Sequence, residues 1–460
     1  MTLTRLVTRI ICDRGECCLV PNVASALCFN VCLTGFDVFR FLHAADLHLD
    51  SPLKGLERYE GAPVDEMRGA TRRALENLVE LAIDREVDFV LIAGDVYDGD
   101  WKDHNTGLFF TSQMVKLKEA GIPVVMISGN HDAANRMTKS LRLPDNVDLL
   151  PHGEAGQSEL KTLHDLGVAV YGRSFARQAE FENFALSYPD RIPGLFNIGL
   201  LHTSLTGFDG HEPYAPCTPE NLIQKQYDYW ALGHVHNRSV ISGESTIVFP
   251  GNLQGRHIRE SEAKGCYLVH VDGQLKPSLE FQPLDVVRWV LCDVDAGKAT
   301  QMDDVLAELT AGLIQAGDKQ GGLPLAVRVC VTASPAVYRE FQSSVTGWTS
   351  QLRATAMEAT GGAAWIEKVH FQPAVPGGLL RDSTLDGPIG ELKQYLAQLH
   401  ADDAELTALG DHFSDLAAKL PGELTRGEFG QSFKDPQQMR KWLEEVEALL
   451  LNRLTQGPNP

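Results

Sequence analysis

The stretch Phe39-Arg40-Phe41-Leu42-His43-Ala44-Ala45-Asp46-Leu47-His48 sets the reading of the whole chain. A strand-like run, Phe39 to Ala45, breaks into a short polar motif, Asp-x-His. The arrangement recurs four times. Phe89 to Ala93 ends in Gly94-Asp95, and Val124 to Ser128 ends in Gly129-Asn130-His131-Asp132. Ile198 to Leu201 ends in His202, and Tyr229 to Leu232 ends in Gly233-His234-Val235-His236. Val87 to Ala93 and Pro123 to Ser128 are near-continuously apolar, as strands covered on both faces are. Between the first two runs, Glu66 to Arg85 carries Met67, Ala70, Ala74, Leu78, Leu81 and Ala82 at helical spacing. A second helix is predicted from about Thr106 to Ala120, where Gly121 and Pro123 stop it. Alternating strands and helices give an α/β sheet, whose ligands sit beyond the carboxyl ends of the strands. Every polar motif falls there.

Aspartate, histidine and asparagine are hard or borderline donors, and bunched at neighbouring strand ends they can hold two divalent cations. Such a pair, about 3.5–4 Å apart, neutralises the oxygens of a phosphate ester that would otherwise repel an attacking anion. The pattern therefore predicts a metal-dependent phosphoesterase. Asp95 is suited to bridge the pair. Asp46 and His48 are two residues apart and would lie on one side of an extended segment, as would His234 and His236. Asn130 supplies an amide oxygen and His202 a further nitrogen. His131 follows Asn130 directly, so its side chain is expected to point elsewhere. It is the candidate general acid, a role worth on the order of 10²–10⁴ in rate, with Asp132 to orient it. Each motif alone is common in structural settings; all five in order, each after an apolar run, are specific. The remaining histidines, including His43, His104, His211 and His257, receive no metal role. His257 lies near the turn Phe249-Pro250-Gly251-Asn252, which could approach the site, but it reads as a surface residue.

Composition bounds the alternatives. With 460 residues, 43% hydrophobic and 22% charged, two or three globular domains are expected. No apolar run approaches the roughly 18 residues that span a bilayer, so a cytoplasmic protein without membrane insertion is predicted. The formal net charge of −20 is unusual for a protein that grips nucleic acid unaided. Basic clusters at Arg72-Arg73, at Arg136, Lys139 and Arg142, and at Arg256 and Arg259 read as solvated helix faces or as phosphate contacts. Five of the nine cysteines fall in the first 32 residues without Cys-x-x-Cys spacing, and Asp13 and Glu16 interrupt any signal-peptide core. Cys217, Cys266, Cys292 and Cys330 stand alone and read as reduced thiols. Nothing before Phe39 is needed to build the first strand, and Val38 could be a GTG start codon. Residues 1–38 are thus expected to be an over-extended reading frame or a disordered arm, which N-terminal mass spectrometry of protein from the native host would decide.

After a catalytic domain at 39–283, a smaller domain is expected at 284–375. Its strand candidates are Val286–Val294, Leu325–Thr332 and Trp365–Phe371. One helix is marked by Leu306, Leu309 and Leu313, and a second by Tyr338, Phe341, Val345, Trp348 and Leu352. Pro373, Pro376, Gly377 and Gly378 form a linker to a helical tail at 376–460. There Asp435-Pro436 is a helix start, and Met439, Trp442, Leu443, Val446, Leu449 and Leu450 make an apolar face that must be buried on its own domain or on a partner.

These residues resemble the calcineurin-like metallophosphoesterase superfamily. Phe41 to Pro52 resembles the SbcD-type DNA repair exonucleases, and Ile92-Ala93-Gly94-Asp95-Val96-Tyr97-Asp98-Gly99-Asp100-Trp101 is similar to their YhaO branch. The resemblance implies an α/β (α+β) fold, a four-layer α-β-β-α sandwich with a smaller α/β capping domain and a helical C-terminal tail. It implies two divalent metal ions, manganese by preference, and a coiled-coil ATPase partner of the SbcC or YhaN kind. Asp46, His48, Asp95 and His236 would hold one metal, and Asp95, Asn130, His202 and His234 the other, with His131 catalytic. Some nucleases of this family carry a second histidine three residues after the bridging aspartate, where this chain has Asp98.

The leading expectation is a DNA exonuclease or endonuclease. The alternatives are a small-substrate phosphodiesterase or phosphatase, since the same ligands serve both, and a scaffold subunit that docks an ATPase. Cleavage polarity, strand preference and oligomeric state, a homodimer included, stay open.

Overall fold

The computed structural model describes residues 37–51, 69–98, 104–134, 142–153, 158–206, 213–374, 388–419 and 432–455. Residues 1–36 of the expected extension, the start of the helix from Glu66, Arg136, Lys139, and the linker residues Pro376, Gly377 and Gly378 lie outside them.

Two six-stranded sheets lie face to face. The first is ordered β12-β11-β1-β2-β3-β4, from β1 (Asp37–Ala44), β2 (Phe89–Ala93), β3 (Val124–Ile127), β4 (Val147–Leu149), β11 (Gly265–Asp272) and β12 (Pro277–Pro283). The second is ordered β5-β6-β7-β8-β10-β9, from β5 (Glu159–Leu163), β6 (Val168–Gly172), β7 (Phe196–His202), β8 (Tyr229–Gly233), β9 (Ser239–Ile241) and β10 (Thr246–Phe249). Strands β1 to β4 pair in parallel, as do β6, β7, β8 and β10; antiparallel β12, β5 and β9 close three of the sheet edges and parallel β4 the fourth. Parallel neighbours end at one edge, so the motifs after β1, β2, β3, β7 and β8 collect there.

Period-two alternation divides each strand between two cores. Phe39 and Phe41 of β1, with Phe89, Leu91, Val125 and Ile127, meet Phe196, Ile198, Leu200, Tyr229 and Ala231 between the sheets. Leu42 and Ala44 face the other way, onto helices α1 (Ala70–Asp84) and α2 (His104–Glu119). The opposite outer layer is thinner. Among the described residues it is built from the 3-10 turn Phe184–Ser187 and the short helices α3 (Asn130–Ala134), after β3, and α4 (Pro219–Ile223), before β8; Phe184, Tyr188, Leu222 and Tyr227 cover the second sheet.

The smaller domain is a parallel sheet of β13 (Arg288–Ala296), β14 (Leu325–Ala333) and β15 (Ala364–Pro373). Helix α5 (Met302–Lys319) packs on it, as expected. The single stripe read from Tyr338 to Leu352 is two helices, α6 (Pro335–Ser343) and α7 (Val345–Thr360). Ser344 breaks them with non-helical backbone, φ −154° and ψ 67°; paired serines compete for local backbone bonds, and Ser343 Oγ donates to Glu340 O at 2.6 Å. In the tail, α8 (Pro388–Ala401), α9 (Asp403–Asp411), α10 (Ser414–Lys419) and α11 (Pro436–Thr455) follow. Leu396, Leu399, Leu406, Met439 and Leu443 form one small core, so these residues of the α11 face are covered by the chain itself. No helix among the described residues is long and apolar enough to cross a membrane.

Candidate metal centre

Past the strand ends the first two motif segments keep pairing: Asp46 N donates to Gly94 O at 3.1 Å, and His48 N to Asp95 O at 3.1 Å. The backbone there is not the extended segment expected from the i, i+2 spacing. β1 stops at Ala44, and Asp46, His48, Asp95 and His234 take positive φ of 51, 42, 52 and 100°. Left-handed residues other than glycine are uncommon and collect at functional sites. Turning of the main chain, not strand alternation, therefore aims these side chains inward. Two glycines make room. At Gly94, φ is +92° and a Cβ would lie 2.7 Å from His202 Nδ1; at Gly129 it would lie 2.2 Å from Asp95 Oδ1.

The donors converge in three overlapping sets: Asp46, His48 and His236; Asp46, Asp95 and His202; and His48, Asp95 and His131, with donor atoms of each set within 4.8 Å of one another. His48 Nε2 is 3.3 Å from His236 Nε2, and His202 Nε2 is 3.0 Å from Asn130 Oδ1 and 3.4 Å from Asp95 Oδ2. His234 donates its backbone N–H to the Asp46 carboxylate at 3.0 Å, and its ring centroid lies 5.2 Å from that of His202. All seven expected ligands thus stand at one edge of the two sheets. The eighth residue, His131, stacks edge-on to His48 with ring centroids 4.9 Å apart.

These residues fit a pair of divalent cations. Asp46 and Asp95 are both buried, and the Asp95 charge helps to raise the Asp46 pKa, after the larger effect of burial. Burial lowers the pKa of His202, yet Asp95 and Asp46 push it up to about 9. The enclosure thus favours positive charge. Two imidazoles are also pre-oriented: His202 Nδ1 donates to Ala93 O at 2.9 Å and His236 Nδ1 to Glu260 Oε1 at 2.8 Å, which leaves each Nε2 turned inward.

Known proteins resemble two segments of the chain. Residues 39–238 match calcineurin-like phosphoesterase, and residues 289–373 match the middle domain of metallophosphoesterase YhaO. The chain carries a calcineurin-like metallophosphoesterase domain. It is 38% identical over 267 residues to an uncharacterized metallophosphoesterase YhaO of Bacillus subtilis (strain 168), covering 57% of this chain and 64% of that one. It is 26% identical over 264 residues to the DNA double-strand break repair protein Mre11 of Sulfurisphaera tokodaii, covering 54% and 63%. The match thus spans less than two thirds of either relative. Among solved structures, a dimetal phosphatase from Danio rerio aligns at a TM-score of 0.33 and 10% identity, over 54% of this chain and 100% of that one.

Around these candidate ligands stand residues to which sequence reasoning gave no role at the site. Glu260, in a single 3-10 turn (Ile258–Glu260), is buried among donors. Beyond His236 it accepts from Asn252 Nδ2 at 2.9 Å, Arg256 N at 2.6 Å and Arg256 Nη2 at 3.0 Å. Burial would raise its pKa, but Arg256 and His236 hold it well below the usual carboxylate range. Arg256, read as part of a solvated face or a phosphate contact, is only 9% exposed, and its Nη1 lies 4.0 Å from Asp98. His257, read as a surface residue, is 6% exposed with Nε2 3.4 Å from Glu260. The 249–252 turn does reach the site. The signal for this group was the Arg256/Glu260 i, i+4 pair, which short-range charge spacing alone could not aim. His43, given no metal role, sits between Tyr229 OH at 3.0 Å and Leu232 O at 3.2 Å, and burial lowers it to about 3.

One assignment changes. Asp132, expected to orient His131, accepts instead from the backbone N–H groups of Gly129 (3.1 Å), Val96 (3.2 Å) and Tyr97 (3.0 Å), and so clamps the β2 turn to the β3 turn. Burial, with the Asp95 charge next, pushes Asp132 up to about 7. A carboxylate in the first turn of a helix, here the third residue of α3, is drawn to nearby amides more readily than to its own neighbour's ring. The carboxylate beside His131 belongs to Asp98.

Proposed function

We propose that this chain hydrolyses phosphodiester bonds of DNA, using two divalent cations of which manganese is the first candidate. The observation that carries the reading is the convergence of Asp46, His48, Asp95, His202 and His236 at the joined strand ends, with His131 beside them and not among the expected ligands. When bound, the cations supply Lewis-acid neutralisation of the phosphate oxygens. Asp46, His48, Asp95 and His236 would hold one and Asp95, Asn130, His202 and His234 the other. The half-buried His131 would give a proton to the leaving oxygen. The relative named as a DNA double-strand break repair protein supports the polymer substrate. The net charge of −20 supports the second reading, a small phosphodiester, because an acidic chain repels duplex phosphates. For DNA it implies help from a partner, for which we propose a coiled-coil ATPase of the SbcC or YhaN kind.

The test is to incubate the manganese-loaded chain in parallel with end-labelled DNA, cyclic nucleotides and a phosphomonoester. Shortened DNA products, with the other two substrates spared, are expected. Turnover of the monoester alone would refute the nuclease reading. His131→Ala should retain two metal equivalents by elemental analysis while losing 10²-fold or more in turnover.

A further inference from the structure

The first expected cation site, of Asp46, His48, Asp95 and His236, differs from the second in what stands behind its imidazole. His202, a ligand of the second, donates Nδ1–H to a neutral main-chain oxygen, Ala93 O, at 2.9 Å. His236 donates instead to the Glu260 carboxylate at 2.8 Å. That carboxylate is fixed: it is 2% exposed, Arg256 N and Asn252 Nδ2 hold Oε2, and Arg256 Nη2 shares Oε1 at 3.0 Å. An acceptor behind a ligating ring fixes its orientation and raises its basicity, and a full charge does so more strongly than a carbonyl dipole.

The donors differ too. Asp46, His48 and His236 converge in one set, and the fourth ligand of the first site, Asp95, has Oδ2 4.0 Å from His48 Nε2. In the second site Asp95 and His202 share a set, and Asn130 Oδ1 is 3.0 Å from His202 Nε2. Among the described residues, however, no converged set includes His234. Its ring packs against those of His202 and Tyr214, with centroids 5.2 and 6.0 Å away.

We infer that the two sites are unequal: the site of Asp46, His48, Asp95 and His236 is filled first, and Glu260 is the positioning residue that makes it the tighter. The second site gains its fourth ligand only when the His234 ring turns, so it fills last. Both cations are needed to clamp the entering and leaving oxygens, so turnover follows occupancy of the weaker site. Repulsion between two dications separates the binding constants of any such pair; the order of filling is what Glu260 and His234 set. The inference rests on the two-cation reading and is independent of the choice of substrate.

The test is to titrate Mn²⁺ alone into the full metal-free chain, followed by calorimetry and by low-temperature electron paramagnetic resonance, which separates a lone Mn²⁺ from a coupled pair. Wild type should bind two equivalents in two resolved steps, the first as a lone ion. His236→Ala should abolish the tighter step and keep the weaker, and His202→Ala should do the reverse. Glu260→Gln should weaken the tighter step about 10–100-fold and leave the weaker unchanged. Glu260→Asp, which keeps the charge but shortens its reach, should fall between. Equal affinities in wild type, a tighter step that survives His236→Ala, or equal weakening of both steps by the Glu260 variants overturns the inference. A wild type that takes up a single equivalent removes the two-cation reading. The assignment of the first cation then stands if only His236→Ala loses that ion, and falls otherwise.

Discussion

At the scale of single residues the centre is built from exceptions. Asp46, His48, Asp95 and His234 occupy left-handed backbone that most side chains avoid, and Gly129 sits where a methyl group would strike the Asp95 carboxylate. Gly129→Ala should therefore displace Asp95 and lose most of the bound metal, read by elemental analysis after dialysis; a full two equivalents would show that the backbone gives way instead. Glu260→Gln keeps size but removes the charge that receives the His236 Nδ1–H. It should weaken metal affinity about 10–100-fold by calorimetry. His43 tests burial. Its folded pKa is about 3 against 6.5 free, so the unfolded chain takes up this proton first as pH falls. The stability it allows is whole above pH 6.5 and is lost towards pH 3, with a slope approaching about 1.4 kcal/mol per pH unit from this group. His43→Gln should flatten urea stability between pH 7 and 5 relative to wild type, and parallel curves would contradict that account.

Elements were legible where one physical signal governed them. β2 falls where its five apolar residues predict, and β8 adds only Gly233 to its predicted run, because near-continuous apolar runs admit few burial patterns. α11 begins at Pro436 with Asp435 Oδ1 accepting from Gln437 N at 3.0 Å, as its capping residues predict. The α6–α7 break was not legible, since an apolar stripe continues in register across a one-residue interruption. The tail also shows what a pattern leaves open: an apolar face does not name its cover. Met439 and Leu443 pack on Leu396, Leu399 and Leu406, whereas Val446 and Leu450 stay 46% and 40% exposed. Leu406→Ala, at a fully buried position, should cost this small core about 2–5 kcal/mol. Limited proteolysis should then cut within residues 388–455 first, with turnover by the catalytic domain unchanged; equal resistance of the tail would show that it is not a separate unit.

At the scale of the molecule, the smaller domain is seated on the segment that carries Arg256 and Glu260. Trp289 Nε1 donates to Gly255 O at 2.9 Å, and Gln254 bonds the backbone of Val286 and Val287. Trp289, Val287, Ala326 and Trp365 share a buried cluster with Ala70 of α1. Trp289→Ala should therefore do more than cost about 3–5 kcal/mol. It should loosen the Glu260 turn and weaken metal binding from outside the metal centre, seen as a lower melting temperature together with a lower affinity in titration calorimetry. Lost stability with unchanged affinity would confine Trp289 to packing.

The sequence by itself determined the five motif-bearing strands, the three strands of the smaller domain, the polar motif at each catalytic strand end and the donor chemistry gathered there, because apolar period and residue type are local properties. Only the tertiary structure decided that the motifs turn inward through left-handed backbone, that Asp98 and not Asp132 stands beside His131, and that Arg256, His257 and Glu260 lie buried behind His236. Those facts depend on which distant segments the two packed sheets bring within hydrogen-bonding range, and no spacing along the chain encodes that distance.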